Sequence, residues 1–205
     1  MPPFTVLHVC MGNICRSPMA ERLLAVAVAE AAGPERAGEL VSGELVYSHS
    51  AGTGGWHAGE PMHPSAARQV RARGGDPDGF TARRLLSEHI DAADLVLVST
   101  ADQQLYVTAL RPDAAARTFV LGELGRLLPA LDQTTLPPAT RTPEAVHARG
   151  VVLVEALDAL RAGALPEPTD DLDDPWGRGE KTFARVADEI EDALRPLAAA
   201  LLPPE

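Results

Sequence analysis

Cysteine is scarce in this chain of 205 residues: Cys10 and Cys15 are the only two. Alone and five positions apart, they exclude a secreted disulfide framework and cannot by themselves make a tetrahedral zinc site, which leaves a reactive or redox-paired thiol. Basic residues are also few, 18 against 29 acidic ones, and the net charge of -11 argues against general affinity for nucleic acid or an anionic membrane surface. A small anion is still admissible as a ligand, because screening over roughly 8 Å lets a local cluster of donors outweigh distant carboxylates. No apolar run reaches the roughly 20 residues of a membrane helix, and Met1-Pro2-Pro3-Phe4 lacks the basic and apolar regions of a signal peptide, so a cytoplasmic protein is expected. There is no internal repeat, and the length fits one domain spanning 1–205, as a monomer or a weak dimer.

What is present reads as an α/β chain. Phe4 to Val9, Leu45 to Ser50, Asp94 to Ser99 and "RTFVL" (117–121) are short apolar runs of strand type, with helical stretches between them. This predicts three layers: a central parallel sheet of about four strands flanked by helices. Ser17-Pro18 reads as an N-cap with proline at the first helical position, opening a helix that buries Met19, Leu23 and Ala27 and stops near Gly33. Phe183, Val186, Ile190, Leu194, Leu197 and Leu201 predict a closing helix from about Glu180, which Pro196 kinks or ends early. The stretch 131–168 differs: a proline- and threonine-rich linker, a helix over 144–162 after Thr142-Pro143, then "PEPTDD". It reads as an insertion that screens a cleft, binds a partner or decorates the surface.

The loop between the first strand and the first helix carries the chemistry. "CMGNICRSP" (10–18) has the length to wrap an anion with the backbone amides of Met11, Gly12, Asn13, Ile14, Cys15 and Arg16. Gly12 supplies backbone freedom, Arg16 a two-pronged grip on phosphate oxygens, and the helix dipole favours the thiolate of Cys10. As a lone cysteine, Cys10 reads first as a buried core thiol; the strand before it and the glycine, arginine, serine and proline after it turn the reading to a nucleophile. "AGTGG" (51–55) is not a nucleotide loop, since it lacks the Walker lysine and a third glycine in register, and "DDLDDP" (170–175) has Gly177 one place too late for a calcium loop. His57 and His63 read as surface or packing residues, and neither a metal nor a cofactor is expected.

Cys10-Met11-Gly12-Asn13-Ile14-Cys15-Arg16-Ser17-Pro18-Met19-Ala20-Glu21 resembles the signature of low molecular weight protein tyrosine phosphatases, and "SAGTGGWHAGEPM" (50–62), "ADLVLVS" (93–99) and "DDPWG" (173–177) with the terminal helix extend the resemblance over most of the chain apart from 33–44 and 131–168. The resemblance implies a phosphotyrosine or aryl phosphate hydrolase releasing inorganic phosphate, with Cys10 as nucleophile, Arg16 as clamp and Asp174 as general acid and then base. It implies further that Asn13 and Ser50 brace the loop, that Ser17 stabilises the leaving thiolate, and that Cys15 can pair with Cys10 under oxidation. Trp56 and Trp176 would wall a slot for a flat ring, and Asp170, Asp171 and Asp173 would by like charge favour protonated Asp174. Two positions depart from the pattern. Phe80 stands where many relatives have a histidine bracing the loop, and Ser99-Thr100 where they carry Met-Asp, so looser bracing is expected. An arsenate reductase using an external thiol, a phosphoarginine phosphatase (disfavoured by bulky Ile14) and a low-activity phosphate-binding regulatory protein are the rival readings.

Overall fold

The computed structural model describes residues 2–33, 43–138 and 140–203. Residues 34–42, most of the 33–44 segment outside the resemblance, lie outside it. Four strands, β1 (Phe4–Cys10), β2 (Val46–Gly52), β3 (Leu95–Val98) and β4 (Thr118–Val120), form one all-parallel sheet in the order β2-β1-β3-β4. All four expected strands are present, shifted by one or two residues at their ends. The helices are α1 (Arg16–Ala32), α2 (Pro64–Ala72), α3 (Ser87–Asp91), α4 (Ala101–Leu110), α5 (Leu121–Leu127), α6 (Pro143–Arg161) and α7 (Glu180–Leu201).

Alternation along the strands sorts the core into two layers. Phe4 and Val6 of β1, Leu95 and Leu97 of β3 and Phe119 of β4 face the larger layer, shared with α1, α2, α5, α6 and α7. Leu7, Val9, Val96, Val98 and Val120 face the smaller one, with Ile90 of α3 and Val107 of α4. The chain leaves β1 for β2 on one side and returns to β3 on the other, so the carboxyl ends of β1 and β3 flank the crevice where doubly wound sheets bind ligands. Cys10 ends β1 at that point.

Three expectations are corrected. Arg16 opens α1 with Cys15 as its N-cap, so Ser17 lies in the first turn and not at the cap, which frees its hydroxyl to turn back toward the loop. Pro196 does not stop α7: it is exposed, and the Asp192 carbonyl it leaves unpaired is also at the surface, where water can serve it. The segment 131–168 is no surface decoration. Leu136, Val146, Leu153, Val154 and Leu157 join the larger core, and a Cβ on Gly150 would stand 2.4 Å from the Phe4 ring, so only glycine lets α6 approach β1. Buried Arg149 donates from Nε to Ala200 O in the last turn of α7 and from Nη1 to Pro137 O, tying linker, α6 and α7 together.

Candidate active site

The loop after β1 is shaped from outside. Its carbonyls at Cys10, Met11 and Ile14 accept from the amides of Thr53, Gly54 and His63 at 2.9, 2.9 and 2.8 Å. The β2 exit comes so close that a Cβ on Gly52 would lie 2.7 Å from Met11 O. The left-handed residue is Asn13, at φ 55°, and not Gly12 as expected; Gly12 is needed because the His57 ring would stand 3.0 Å from any Cβ there.

Asn13 keeps that conformation with its backbone N–H and both polar atoms of its side chain engaged. Its backbone N–H donates to Cys10 Sγ at 3.3 Å, its Nδ2 donates to Ser17 Oγ and Ser50 Oγ at 2.9 Å each, and its Oδ1 accepts from Arg83 N at 2.8 Å. Ser17 Oγ lies 2.9 Å from Cys10 Sγ, and Ser50 Oγ donates to Glu21 Oε2 at 2.6 Å. The looser bracing expected from Phe80 is absent from this geometry: Phe80 is buried in the larger core, and the backbone of Arg83 with the carboxylate of Glu21 supplies what a histidine would. Glu21 was the residue that reading the sequence missed. It closes the signature, yet an acid in the second turn of an apolar helix carries no mark of its buried partner on β2.

Arg16, 4% exposed, reaches across to the segment before α7. Its Nη1 donates to Leu172 O at 3.0 Å, its Nη2 lies 3.0 Å from Asp174 Oδ2, and its Nε–H is buried without a partner. Leu172 in turn donates from its N–H to Ser99 O at 2.8 Å. Ser99 Oγ donates to Val9 O and Thr100 N donates to Gln103 Oε1, so the side chains at this departure hold the end of β3 and the start of α4, while the Ser99 backbone carbonyl, which any residue would supply, anchors the acid segment. Each neighbouring carboxylate has a partner of its own: Asp170 holds Arg126, Asp171 accepts from Ala101 N and Asp173 holds Arg185.

Cys10, Met11, Gly12, Ile14, Cys15 and Arg16 line one cavity of about 210 Å³, together with Asp174, Trp56, Trp176 and His57. Both tryptophans are exposed, at 65% and 62%, so neither is core packing; they flank the opening above a thiol that is 2% exposed. His57 is a second correction: it lines the cavity, its Nδ1 2.8 Å from Glu60 Oε2. His63 does pack, stacked on Phe183 at 5.0 Å, and it also caps α2. No described residue of 131–168 lines this cavity. Burial, with Cys10 and Asp174 nearby, pushes the Cys15 thiol up to about 12. Among the described residues no group of three or more His, Cys, Asp or Glu is placed to hold a metal, and no helix is long and apolar enough to cross a membrane.

The family model described as low molecular weight phosphotyrosine protein phosphatase matches residues 5–126, a span that holds the Cys10 loop and ends before Asp174. A low molecular weight protein-tyrosine-phosphatase of Streptomyces coelicolor is 36% identical over 200 residues, 97% of this chain and 93% of that protein. The low molecular weight protein-tyrosine-phosphatase YfkJ of Bacillus subtilis is 36% identical over 98 residues, 48% of this chain, and the match spans only 57% of YfkJ. In fold, the tyrosine phosphatase AmsI of Erwinia amylovora superposes with a TM-score of 0.63 at 20% identity, covering 98% of this chain and 95% of its own. On the family match and the near full-length relative, this chain belongs to the low molecular weight phosphotyrosine protein phosphatase family.

Proposed function

We propose that the chain hydrolyses the phosphate ester of phosphotyrosine. The observation that carries this reading is a buried, unpartnered guanidinium N–H on Arg16 in the same cavity as the thiol of Cys10. A buried donor without an acceptor is costly, and a phosphate oxygen satisfies it. Cys10 Sγ attacks phosphorus as thiolate, the bond to the tyrosyl oxygen breaks, and Asp174 gives that oxygen its proton. Asp174 then takes a proton from water, water oxygen attacks phosphorus, and Cys10 leaves as thiolate held by the Ser17 hydroxyl, releasing inorganic phosphate. Met11, Gly12, Asn13, Ile14 and Cys15 surround the phosphate with Arg16. Trp56 and Trp176 flank the ring, which favours a long aryl ester over phosphoserine. The test is steady-state kinetics on phosphotyrosine, phosphoserine, phosphoarginine and arsenate with a thiol donor. Turnover of phosphotyrosine should exceed the rest by at least about tenfold; preference for phosphoarginine or arsenate overturns the reading. A cytoplasmic location is part of the proposal, supported by two free thiols in a chain whose nucleophile must stay reduced.

Cys15 is proposed as a redox partner of Cys10. Peroxide oxidises the Cys10 thiolate to sulfenic acid, and Cys15 attacks that sulfur as thiolate, expelling water and closing a disulfide that dithiothreitol reopens. Because the Cys15 thiol is held up near about 12, its reactive fraction is small at neutral pH and grows about tenfold per pH unit below that value. Closure should therefore accelerate from pH 7 to 9, and Cys15→Ser should lose the dithiothreitol-recoverable fraction after peroxide. Equal recovery in the variant removes Cys15 from this role.

A further inference from the structure

We propose that Glu21 is a positioning residue for the thiolate of Cys10, acting through an ordered chain of hydrogen bonds that its carboxylate anchors. This inference rests on the phosphatase reading above.

The directions follow from counting protons. A serine hydroxyl has one, and a side-chain amide nitrogen has two. Ser50 lies 2.6 Å from the carboxylate, which accepts only, so Ser50 gives its single proton to Glu21 and must itself act as acceptor toward Asn13. That fixes which end of the Asn13 amide faces β2: the nitrogen donates to Ser50 at 2.9 Å, and the oxygen is left for Arg83 N at 2.8 Å. The second amide proton then goes to Ser17 Oγ, also at 2.9 Å. Ser17, already an acceptor there, has one proton left, and Cys10 Sγ stands 2.9 Å away. The chain runs from one anion to another, with every hydrogen assigned, and reversing any member leaves a buried donor facing a donor.

Glu21 is the charged end of the chain, and the order it favours agrees with Arg83 N, a donor that fixes the Asn13 oxygen on its own. It is 7% exposed on α1, and all three members between it and the thiolate are buried. Burial pushes its carboxyl above the ordinary range, while the Ser50 hydrogen bond, Arg22 and Arg83 oppose that. Arg22 Nε lies 3.4 Å from the other carboxylate oxygen. An amide in place of the carboxylate keeps the shape but removes the charge, so Ser50 donates to a weaker acceptor; Arg83 N still holds the Asn13 oxygen in place, and what is lost is the polarisation of the Asn13 and Ser17 hydrogens toward the sulfur.

The step most exposed to that loss is the second one, in which Cys10 departs from phosphorus as a thiolate and needs the Ser17 proton. Glu21→Gln should therefore lower kcat by about tenfold, the worth of one charge-assisted hydrogen bond, with KM falling in parallel. kcat/KM on p-nitrophenyl phosphate should stay within about twofold, and rapid mixing should show a burst of p-nitrophenol as the cysteinyl phosphate accumulates. Ser50→Ala should give the same pattern, and the double variant should be no worse than either single one. A parent with no turnover defeats the phosphatase reading. A working parent with Glu21→Gln unchanged, or one losing kcat/KM without a burst, or additive losses in the double variant, defeats this one. Matching thermal melts of parent and Glu21→Gln exclude a folding defect as the cause.

Discussion

Replacing Cys10 with serine is expected to abolish turnover of phosphotyrosine, by more than about 10⁴-fold in kcat, while phosphotyrosine still binds. The side chain sits at the floor of the cavity, 2% exposed, with an N–H of Asn13 and the hydroxyl of Ser17 directed at its sulfur. Those two contacts stabilise a thiolate; a serine hydroxyl in their place is far too weakly acidic to ionise, and no general base lies among its partners. Arg16 and the loop backbone are untouched by the change, so the anion site persists. Calorimetry with phosphotyrosine should give an affinity within severalfold of the parent's KM. Residual turnover within about a hundredfold of the parent would remove Cys10 from the nucleophile's role.

That the anion site survives loss of the nucleophile reflects how the fold divides labour. The loop takes its shape from β2 and the α2 entrance, through amides donated to its carbonyls and through Gly52, and its guanidinium is held from the other side by the segment before α7. Leu172 is the joint: its carbonyl receives Arg16 and its amide binds Ser99 at the end of β3. Arg126 on α5 and Arg185 on α7 draw off Asp170 and Asp173, so the acidic stretch is pinned at several points around the one carboxylate that faces the cavity.

How much of this could be read from the residues depends on how far apart the partners lie in sequence. The strands, α1 and the closing helix are written in local periodicity, and Cys10 and Arg16 lie on one loop, so their meeting in one cavity was legible. That Asp174 joins them there was legible from the Asp-Pro-Trp triplet. Conformation inside the loop was not. Glycine is the usual sign of positive φ, but here Gly12 makes room for the His57 ring and Asn13 takes the left-handed turn, held by two distant partners, Ser50 and Arg83, as well as by nearby Ser17. Ser17-Pro18 looked like a cap because caps are local, whereas the Ser17 hydroxyl answers to Asn13 and Cys10. The 131–168 segment reads as an insertion through its proline-rich start, and its core role turns on Gly150 meeting Phe4, nearly 150 positions earlier. Glu21 depends on Ser50 of β2 and His57 on Gly12, contacts that no spacing within a helix or loop announces.

Asp174→Ala is expected to cut kcat on phosphotyrosine by about 10³-fold, within the range that positioned general acids contribute, and to cost at least about tenfold less on p-nitrophenyl phosphate. The difference follows from the leaving groups: a tyrosyl oxygen, with a pKa near about 10, needs a proton as it departs, and the more acidic nitrophenol does not. A second consequence comes from the ground state. Asp174 Oδ2 lies 3.0 Å from Arg16 Nη2, so an entering phosphate competes with this carboxylate for the guanidinium. Half of the Asp174 side chain is in contact with solvent, which limits the strength of that competition. Removing the carboxylate should therefore tighten competitive inhibition by inorganic phosphate severalfold while the chemistry slows. Tighter phosphate with a substrate-dependent loss of kcat is the signature of an acid that rests on the clamp and leaves it to protonate the ester. Equal losses on the two substrates would mean that Asp174 places the arginine and that the proton comes from another group.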